Sequence, residues 1–555
     1  MESRLYQTEA IDAVLTAYNQ GWHQQLLNMA TGTGKTRTCS LLYEKLKSRI
    51  PGKMLILDHT EELIDQFIAT MQSVNPSLRI DREMAQHKAD PDKADVIVAS
   101  VPSLGRLNTT RIAKYDMSQW NTVIVDEAQH TLAESYMRIL EAFGVLGDTK
   151  KLLLGMTATP FRADGRALGE VYKKIVYSYS LRQAIKEKWL VPIHGYRVVT
   201  QTDLSGVKVS GGDLNNIELE ATINTPKRNK AVVDAWMKFG DHRPTLVFAA
   251  GIKHARALSE AFMGAGVSSK AIWGADDARS EKLQEFRDSK IQVLINCNLL
   301  TEGVDLPRIS CIILARPTKS GVLFTQMVGR STRLYPEKTD SIVLDVVDLC
   351  GHHSLCTLPM LMGMPAGLDL QGHGLVEAAE LIEAAQEEHD TIDFTKLKAI
   401  DNLKQYIEQV DIFAVRFPSE VTDNSEFRWV RAIDGGFVMK VPRPKMDSTG
   451  TKSGRVRIYE NVLGEWEIDG RIKDKLFHGV RKSIEDAFGC ADQQIRQRSP
   501  ESVCLVNRSA AWMAKPVTPA QLKMLNRLYK GKAWPEDFTQ GQASHFIDQR
   551  IGGKK

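Results

Sequence analysis

The sequence has few of the features that place a protein in a membrane or in an oxidising compartment. Its seven cysteines are scattered through 555 residues, which favours reduced thiols over a disulfide framework. No apolar run approaches the roughly 20 residues that span a bilayer. The start MESRLYQTEA has neither the basic nor the apolar part of a signal sequence. We therefore expect a soluble, cytoplasmic protein without a membrane partner.

The sequence also has little that could form a zinc site. Four candidate ligands fall within seven residues, namely Cys350, His352, His353 and Cys356. This spacing is too tight for two chelating arms separated by a finger or a ribbon. We interpret these residues as part of the turn that leaves the strand SIVLDVVDL.

The net charge is only +4, but it is unevenly distributed. Residues 366–420 carry 4 basic and 12 acidic side chains, and residues 421–555 carry 24 basic and 16 acidic ones. A basic terminal domain favours a polyanionic partner such as a nucleic acid, although a solvated surface can carry a similar excess.

Short runs of Val, Ile and Leu alternate with helical segments as far as residue 350, which is typical of parallel strands joined by crossover helices. We predict one α/β domain over residues 1–175 and a second over 226–365, with 176–225 as a connector. Residues 366–420 should form an acidic helical segment.

The pattern changes again near the C-terminus. Short alternating runs such as GFVMKV and RVRIYEN indicate a small antiparallel sheet. IKDKLFHGVRKSIEDAF and TPAQLKMLNRLYK are interpreted as helices. Residues 421–555 are therefore predicted to be a basic α+β accessory domain that binds nucleic acid.

The segment ATGTGKT follows the strand QLLNMA and precedes a helix. Gly32 and Gly34 let the backbone curl around an anion, and the helix N-terminus adds partial positive charge. Lys35 would reach the β and γ phosphates of ATP, and Thr36 would bind Mg²⁺. Glycines before a helix often only make a turn, but the order of strand, loop and helix favours a phosphate site.

A pair of carboxylates ends the apolar strand in VIVDEAQH. Ligands of open α/β sheets bind at the carboxyl ends of the strands. Asp126 can hold the hydration shell of Mg²⁺, and Glu127 can polarise the attacking water. An isolated pair is usually a solvated strand end, but after a phosphate loop it favours catalysis.

ATGTGKT, VDEAQH and TATP resemble motifs I, II and III of superfamily-2 DEAD/DEAH-type helicases. The resemblance implies two RecA-like domains that bind ATP between them, with the nucleotide also contacted by Thr31 and Thr33. Arg4 and Gln7 match the family's adenine-reading element. Gln129 replaces the usual His or Asp, so it can bridge the domains by hydrogen bonds but cannot titrate as histidine does.

NLLTEGVDLP and QMVGRSTRLYP resemble motifs V and VI of the same family. This implies that Gln326 contacts the nucleotide or the water, and that Gly303 and Asp305 link the nucleotide site to the strand-binding surface. Arg330 and Arg333 would stabilise the γ phosphate as arginine fingers. Their spacing of three places them on one helical face if the segment is helical.

TATPFRADG, with Arg162 and Asp164, and the terminal AWMAKPVTPAQLKML resemble the subgroup of RadD-like, branched-DNA and mitochondrial genome-maintenance helicases. We therefore expect an ATP-dependent DNA helicase that moves 3′ to 5′ on single-stranded, forked or branched DNA as a monomer. An organelle matrix or nucleoid is then the alternative location. An RNA helicase or remodeller with the same motor stays the alternative function.

The expected strand contacts come from the segments DHTEELIDQ and ASVPSL and from motif V. Phosphate contacts are predicted from four side chains, which are His59, Thr60, Ser100 and Thr301. Capping of a helix or strand is the alternative role for each of them.

Overall fold

The computed structural model describes most of the chain, namely residues 3–147, 149–158, 168–274, 276–297, 306–349, 355–388, 394–403, 419–432, 436–441, 454–461, 463–473, 475–507, 515–528, 534, 539–540 and 543. The chain divides into two compact units. One comprises Met1–Leu361 and Leu370–Val376, and the other comprises Met362–Asp369 and Glu377–Lys555.

The first unit begins with a seven-stranded parallel sheet. Its strands are β1 (Gln24–Met29), β2 (Lys53–Asp58), β3 (Ile80–Glu83), β4 (Val96–Ser100), β5 (Trp120–Val125), β6 (Leu152–Thr157) and β7 (Lys174–Tyr179). Their order is β3-β4-β2-β5-β6-β1-β7. The helices are α1 (Leu5–Asn19), α2 (Lys35–Lys47), α3 (Glu61–Val74), α4 (Val101–Leu104), α5 (Glu134–Phe143) and α6 (Leu181–Lys186).

A second parallel sheet belongs to the same unit. Its strands are β8 (Ile193–Asp203), β11 (Thr245–Ala249), β12 (Ser269–Trp273), β13 (Val293–Cys297), β14 (Cys311–Leu314) and β15 (Ser341–Leu349), in the order β12-β13-β11-β14-β15-β8. A two-stranded ribbon of β9 (Val209–Ser210) and β10 (Asp213–Leu214) follows β8 in the chain. The helices are α7 (Asn216–Ile223), α8 (Pro226–Phe239), α9 (Ile252–Gly264), α10 (Arg279–Arg287) and α11 (Gly321–Gly329). The sequence range interpreted as a connector thus supplies β8, an edge strand of this sheet.

Central strands such as β4, β11 and β13 are buried along their whole length. Sheets covered on both faces need apolar side chains on both sides of each strand, which explains the continuous Val, Ile and Leu runs. The predicted α/β fold with two parallel sheets in tandem is confirmed.

The second unit contains a five-stranded antiparallel sheet. Its strands are β16 (Val430–Arg431), β17 (Phe437–Val441), β18 (Gly454–Glu460), β19 (Trp466–Ile472) and β20 (Lys475–Arg481). The helices from residue 375 onward are α12 (Leu375–Glu388), α13 (Ser419–Asn424), α14 (Ile484–Arg498), α15 (Val503–Val506) and α16 (Pro519–Leu528). The core includes Trp429, Ile458, Ile468 and Phe488. The predicted α+β character of this region is confirmed.

One helix prediction in this region is wrong. The segment IKDKLFHGVRKSIEDAF was interpreted as one helix, but its first half forms β20 and the helix begins only at Ile484. β20 pairs along its full length with β19. Ser483 caps α14 by accepting a hydrogen bond from the backbone N–H of Asp486, which fixes the point where the helix starts.

Over the described residues, no helix combines the length and the apolar character needed to cross a membrane.

A buried ion pair ties α8 to the second sheet. Arg228 donates from Nε and Nη2 to the two carboxylate oxygens of Asp348, at 2.8 and 2.7 Å, and from Nη1 to the carbonyl of Ala315. Both side chains are almost fully buried, at 1% and 0% exposure. Bidentate geometry of this kind satisfies both charges.

We expect Arg228→Ala to lower the free energy of unfolding by about 3–5 kcal/mol, because it leaves the Asp348 carboxylate buried without its partner. Chemical denaturation of the full chain measures the loss. Lys230→Ala on the same helix removes an exposed pair with Asp234 and should cost about 0.5 kcal/mol or less. Equal losses in the two variants would contradict the assignment.

Candidate nucleotide and strand-binding site

The phosphate loop joins β1 to α2. Gly32 and Gly34 have positive φ angles of 85° and 84°, a conformation that glycine adopts at low cost. Gly34 is the residue before α2, and no side chain caps the first N–H groups of that helix. Those donors and the helix dipole therefore make the end of α2 an anion site. Thr36 lies half-buried in its first turn.

The start of α1 packs against this loop. The Tyr6 hydroxyl donates to the carbonyl of Thr33 at 2.6 Å, and the Arg4 guanidinium donates to the Tyr6 hydroxyl at 2.9 Å. Gln7 is buried, and its side-chain oxygen accepts from the Arg4 backbone N–H. A Cβ on Gly34 would lie 3.0 Å from the Gln7 amide nitrogen. Arg4 and Gln7, inferred only from family resemblance, thus lie next to the loop.

The Thr33 hydroxyl is buried and donates to the carbonyl of Ala30 at 2.6 Å, so it is engaged within the loop itself. Its side chain therefore shapes the loop. Thr33 would therefore contact a nucleotide through its backbone and not through its side chain.

The two predicted carboxylates lie at the carboxyl end of β5, directly beside the loop. The Lys35 ammonium is 3.4 Å from Glu127 Oε1. Glu127 has a φ of 50°, a left-handed conformation that costs a non-glycine residue of order 1–3 kcal/mol and is found mainly at functional sites. Strand end and loop thus bring a cation and two acids into one place.

A third carboxylate, Asp58, joins this group from the end of the neighbouring strand β2. The Asp126 N–H donates to the carbonyl of Leu57, so Asp58 and Asp126 occupy adjacent strand ends. Asp58 is fully buried, and its Oδ2 has no hydrogen-bond partner among the described residues. Burial raises the pKa of the Asp126 carboxyl to about 7, with the negative charges of Glu127 and Asp58 adding to the effect and Lys35 opposing it. Burial likewise raises the pKa of Asp58.

Gln129 connects Glu127 to β6. Its amide nitrogen donates to Glu127 Oε2 at 2.7 Å, and its amide oxygen accepts from the Thr157 hydroxyl at 2.8 Å. The sequence prediction placed this bridge between the two domains, whereas these hydrogen bonds remain within the first. They fix the orientation of the Glu127 carboxylate and link motif II to motif III.

We expect Glu127→Gln to bind ATP but to hydrolyse it about 10²- to 10⁴-fold more slowly, the usual contribution of a general base. The amide oxygen of the new side chain can still accept the hydrogen bond from Gln129, but it cannot take a proton from water. Single-turnover hydrolysis and retention of labelled ATP measure the two effects. Glu141→Gln, an exposed acid on α5, is the matched control. Fast turnover in Glu127→Gln would remove the base from this residue.

Motif VI of the second domain lies directly against the phosphate loop. A Cβ added to Gly32 would lie 3.4 Å from Arg333 Cγ, and one added to Gly329 would lie 2.7 Å from the Thr31 Cβ. The Val191 N–H also donates to the carbonyl of Thr332. The structure therefore brings Arg333 beside the loop, as the arginine-finger prediction requires.

Arg330 and Arg333 would share a helical face only if their segment were helical, and that condition is not met. Helix α11 ends at Gly329, Arg330 is its C-cap residue, and Arg333 lies beyond the helix. Both arginines are half-buried. Gln326 lies inside α11 and is 5% exposed. The Arg330 guanidinium thus comes from the end of α11, and the Arg333 guanidinium comes from the segment after it.

The predicted strand contacts are placed unequally. The Thr60 hydroxyl caps α3 by accepting from the backbone N–H of Leu63 at 3.3 Å, and Ser100 is buried at 2% exposure. Both observations favour the capping or packing role over a phosphate contact through the side chain. His59 is partly exposed, with its ring 5.7 Å from that of His130 and its Nδ1 3.4 Å from Asp58.

Other predicted residues lie outside the described ones. They are Thr301, Gly303, Asp305, Arg162, Asp164, Cys350, His352 and His353. Cys356 is described, and its thiol donates to the carbonyl of Lys319.

Sequence reasoning missed Tyr6 and Asp58. Asp58 follows an apolar strand just as Asp126 does, so the same strand-end signal was present. The role of Tyr6 depends on a contact between residues 27 positions apart, which no local pattern reveals.

Family models match three parts of the chain. Residues 1–162 match "Type III restriction enzyme, res subunit", residues 227–335 match "Helicase conserved C-terminal domain", and residues 380–555 match "Mitochondrial helicase Irc3, C-terminal domain". The three models follow one another along the chain in the order of the two parallel sheets and the accessory region.

Similar curated proteins include two helicases and one translocase by name. "Putative mitochondrial ATP-dependent helicase irc3" of Schizosaccharomyces pombe is 30% identical over 100% of this chain and 91% of its own length. "Putative ATP-dependent helicase IRC3" of Saccharomyces cerevisiae is 35% identical over 65% of this chain, which spans 53% of that relative. "DNA 3'-5' translocase XPB2" of Sulfurisphaera tokodaii is 22% identical, over 62% of this chain and 82% of its own length.

Proposed function

Because the chain belongs to the Irc3 family of ATP-dependent helicases, we propose that it moves along DNA from 3′ to 5′ and acts on forked or branched DNA. It is an ATP-hydrolysing enzyme whose partner is a nucleic acid.

The contact between the phosphate loop and motif VI supports the ATP-driven movement in this proposal. Thr31 and Gly32 of the first domain lie against Gly329 and Arg333 of the second. A nucleotide on the loop would therefore contact both domains, and loss of its γ phosphate would remove the ligand that holds them together. Alternating closure of two domains is a known way to drive a conformational cycle. A strand bound by both domains would be gripped and released once for each ATP.

Residues beside the loop fit Mg²⁺ as the companion of ATP. The carboxylates of the buried Asp126 and Asp58 are hard ligands that a divalent cation would stabilise, and Asp58 Oδ2 has no hydrogen-bond partner in the described part of the chain. Thr36 and Asp126 would hold the ion, in part through water. The ion would neutralise phosphate charge, whereas Glu127 would orient and deprotonate the attacking water.

DNA is favoured as the track by two observations. One distant relative is named as a DNA 3′–5′ translocase, and residues 421–555 carry eight more basic than acidic side chains. A charge excess attracts any phosphate backbone, so the choice between DNA and RNA needs a direct test. We further propose that the protein acts as a monomer, in the cytoplasm or in an organelle matrix.

ATPase stimulation is that test. We expect single-stranded DNA to raise the turnover of the full chain, forked DNA to raise it further, and RNA of the same sequence to have less effect. Unwinding should need a 3′ single-stranded tail and should fail with a 5′ tail. Lys35→Ala, run in parallel, controls for contaminating ATPases. Stronger stimulation by RNA would overturn the choice of DNA in favour of an RNA remodeller.

A further inference from the structure

The antiparallel sheet of the second unit has two different faces. One face packs against α14 through Ile458 and Ile468 of the strands and Phe488 of the helix. Side chains of β18 and β19 alternate between the faces, so the residues between the buried ones point away from this core. On β18 and β19 these outward residues are mostly charged, and they are Arg455, Arg457, Tyr459, Glu467, Asp469 and Arg471.

Three cations form a row across the outward face. Lys440 of β17 pairs in register with Arg455 of β18, and Arg455 pairs with Arg471 of β19. All three side chains are exposed. Directly opposite like charges on neighbouring strands destabilise a sheet. The register therefore gathers three cations in a line on one face of the sheet.

The acids on the same face are already engaged with uncharged donors or with a histidine. The Tyr459 hydroxyl donates to Glu467 or Asp469, at 2.7 and 2.8 Å, and the Asn461 amide donates to Glu467. His478 lies 2.8 Å from Asp469. Within the described part of the chain, neither Lys440 nor Arg471 has an ion pair. The described acids of this face are therefore engaged with Tyr459, Asn461 and His478, and not with Lys440 or Arg471.

We propose that the cation row Lys440, Arg455 and Arg471 binds the sugar–phosphate backbone of a nucleic acid. This inference rests on the proposed function, and it gives the second unit a defined contact surface. Neighbouring strands lie about 4.8 Å apart, so the row is about 10 Å long. A nucleic-acid strand carries one charge per about 3.4 Å of helix axis, which presents about three phosphates over that length.

An aromatic side chain can bind a nucleic acid by stacking on its bases, but Trp429 is not available for such stacking. Trp429 is fully buried, and its indole N–H donates to Asp492 at 3.0 Å. Trp466 packs partly against the same core. These two tryptophans therefore serve the core. Charge contacts of this kind do not read base sequence, as a motor that accepts any sequence requires.

The test compares two triple variants of the full chain. One is Lys440→Gln, Arg455→Gln and Arg471→Gln. The control is Lys482→Gln, Lys523→Gln and Arg527→Gln, which removes three exposed cations of the same unit and changes the net charge equally. Affinity for single-stranded and forked DNA is measured over a range of salt concentrations. Each lost phosphate contact lowers the slope of log affinity against log salt by about 0.7–0.9.

We expect the row variant to lower that slope by about 2 to 3 and the control to lower it by less than 1. Basal ATPase activity without DNA should be unchanged in both.

Equal slopes in the two variants would overturn the row as a binding surface while leaving the proposed function intact. No nucleic-acid binding by the wild-type chain would overturn both. An unchanged slope on DNA together with lost binding to phosphatidylserine vesicles would assign the row to lipid and overturn the inference.

Discussion

Replacing Lys35 with alanine is expected to abolish ATP hydrolysis and to leave the fold intact. The Lys35 side chain is 11% exposed and its ammonium lies beside Glu127 at the mouth of the loop. It neutralises charge and fills no core. Loss of a single group that stabilises transition-state charge slows related reactions by about 10²- to 10³-fold. Lys35 also lowers the pKa of the Asp126 carboxyl. Removing Lys35 should therefore bring ATP turnover down to the background rate.

Steady-state ATPase assays with and without DNA measure this effect. Lys45→Ala on the same helix removes an exposed lysine that pairs with Asp12 at the surface and should behave as wild type. Circular dichroism checks that both variants fold. Near-normal turnover in Lys35→Ala would refute the phosphate site.

Arg330→Ala and Arg333→Ala should each slow hydrolysis by orders of magnitude with little change in nucleotide affinity. Arginine fingers contribute about 10³- to 10⁵-fold in related phosphoryl transfers. We expect the larger loss at Arg333, because its side chain lies next to Gly32 of the loop, whereas Arg330 ends α11.

Single-turnover rates and nucleotide titrations separate the two effects. Arg287→Ala, at an exposed position of α10, is the control for loss of an arginine in the second domain. A loss of less than about tenfold in both finger variants would count against a nucleotide site shared by the two domains.

The sequence predicts the parallel sheets well because burial on both faces leaves a strong local signal. β4 and β13 are almost pure apolar runs and are buried along their whole length. The signal for the phosphate loop is also local, because Gly32, Gly34 and Lys35 are close neighbours in the sequence.

The errors arise where distant residues decide the outcome. β20 contains Lys475, His478 and Arg481 among its exposed residues, so its alternation is weak, and its state depends on pairing with β19. The split of Arg330 and Arg333 depends on where α11 stops. The spacing of the two arginines could not reveal that end.

The ion pair between Lys35 and Glu127 has a consequence for the timing of the reaction. While no nucleotide is bound, the cation of the phosphate loop and the proposed base serve as counter-ions to each other. Incoming phosphates compete with Glu127 for Lys35, and a nucleotide that wins this competition frees the carboxylate for water at the same moment. Binding of the substrate thus releases the base that activates the attacking water, and without nucleotide the charge of that base stays neutralised by Lys35.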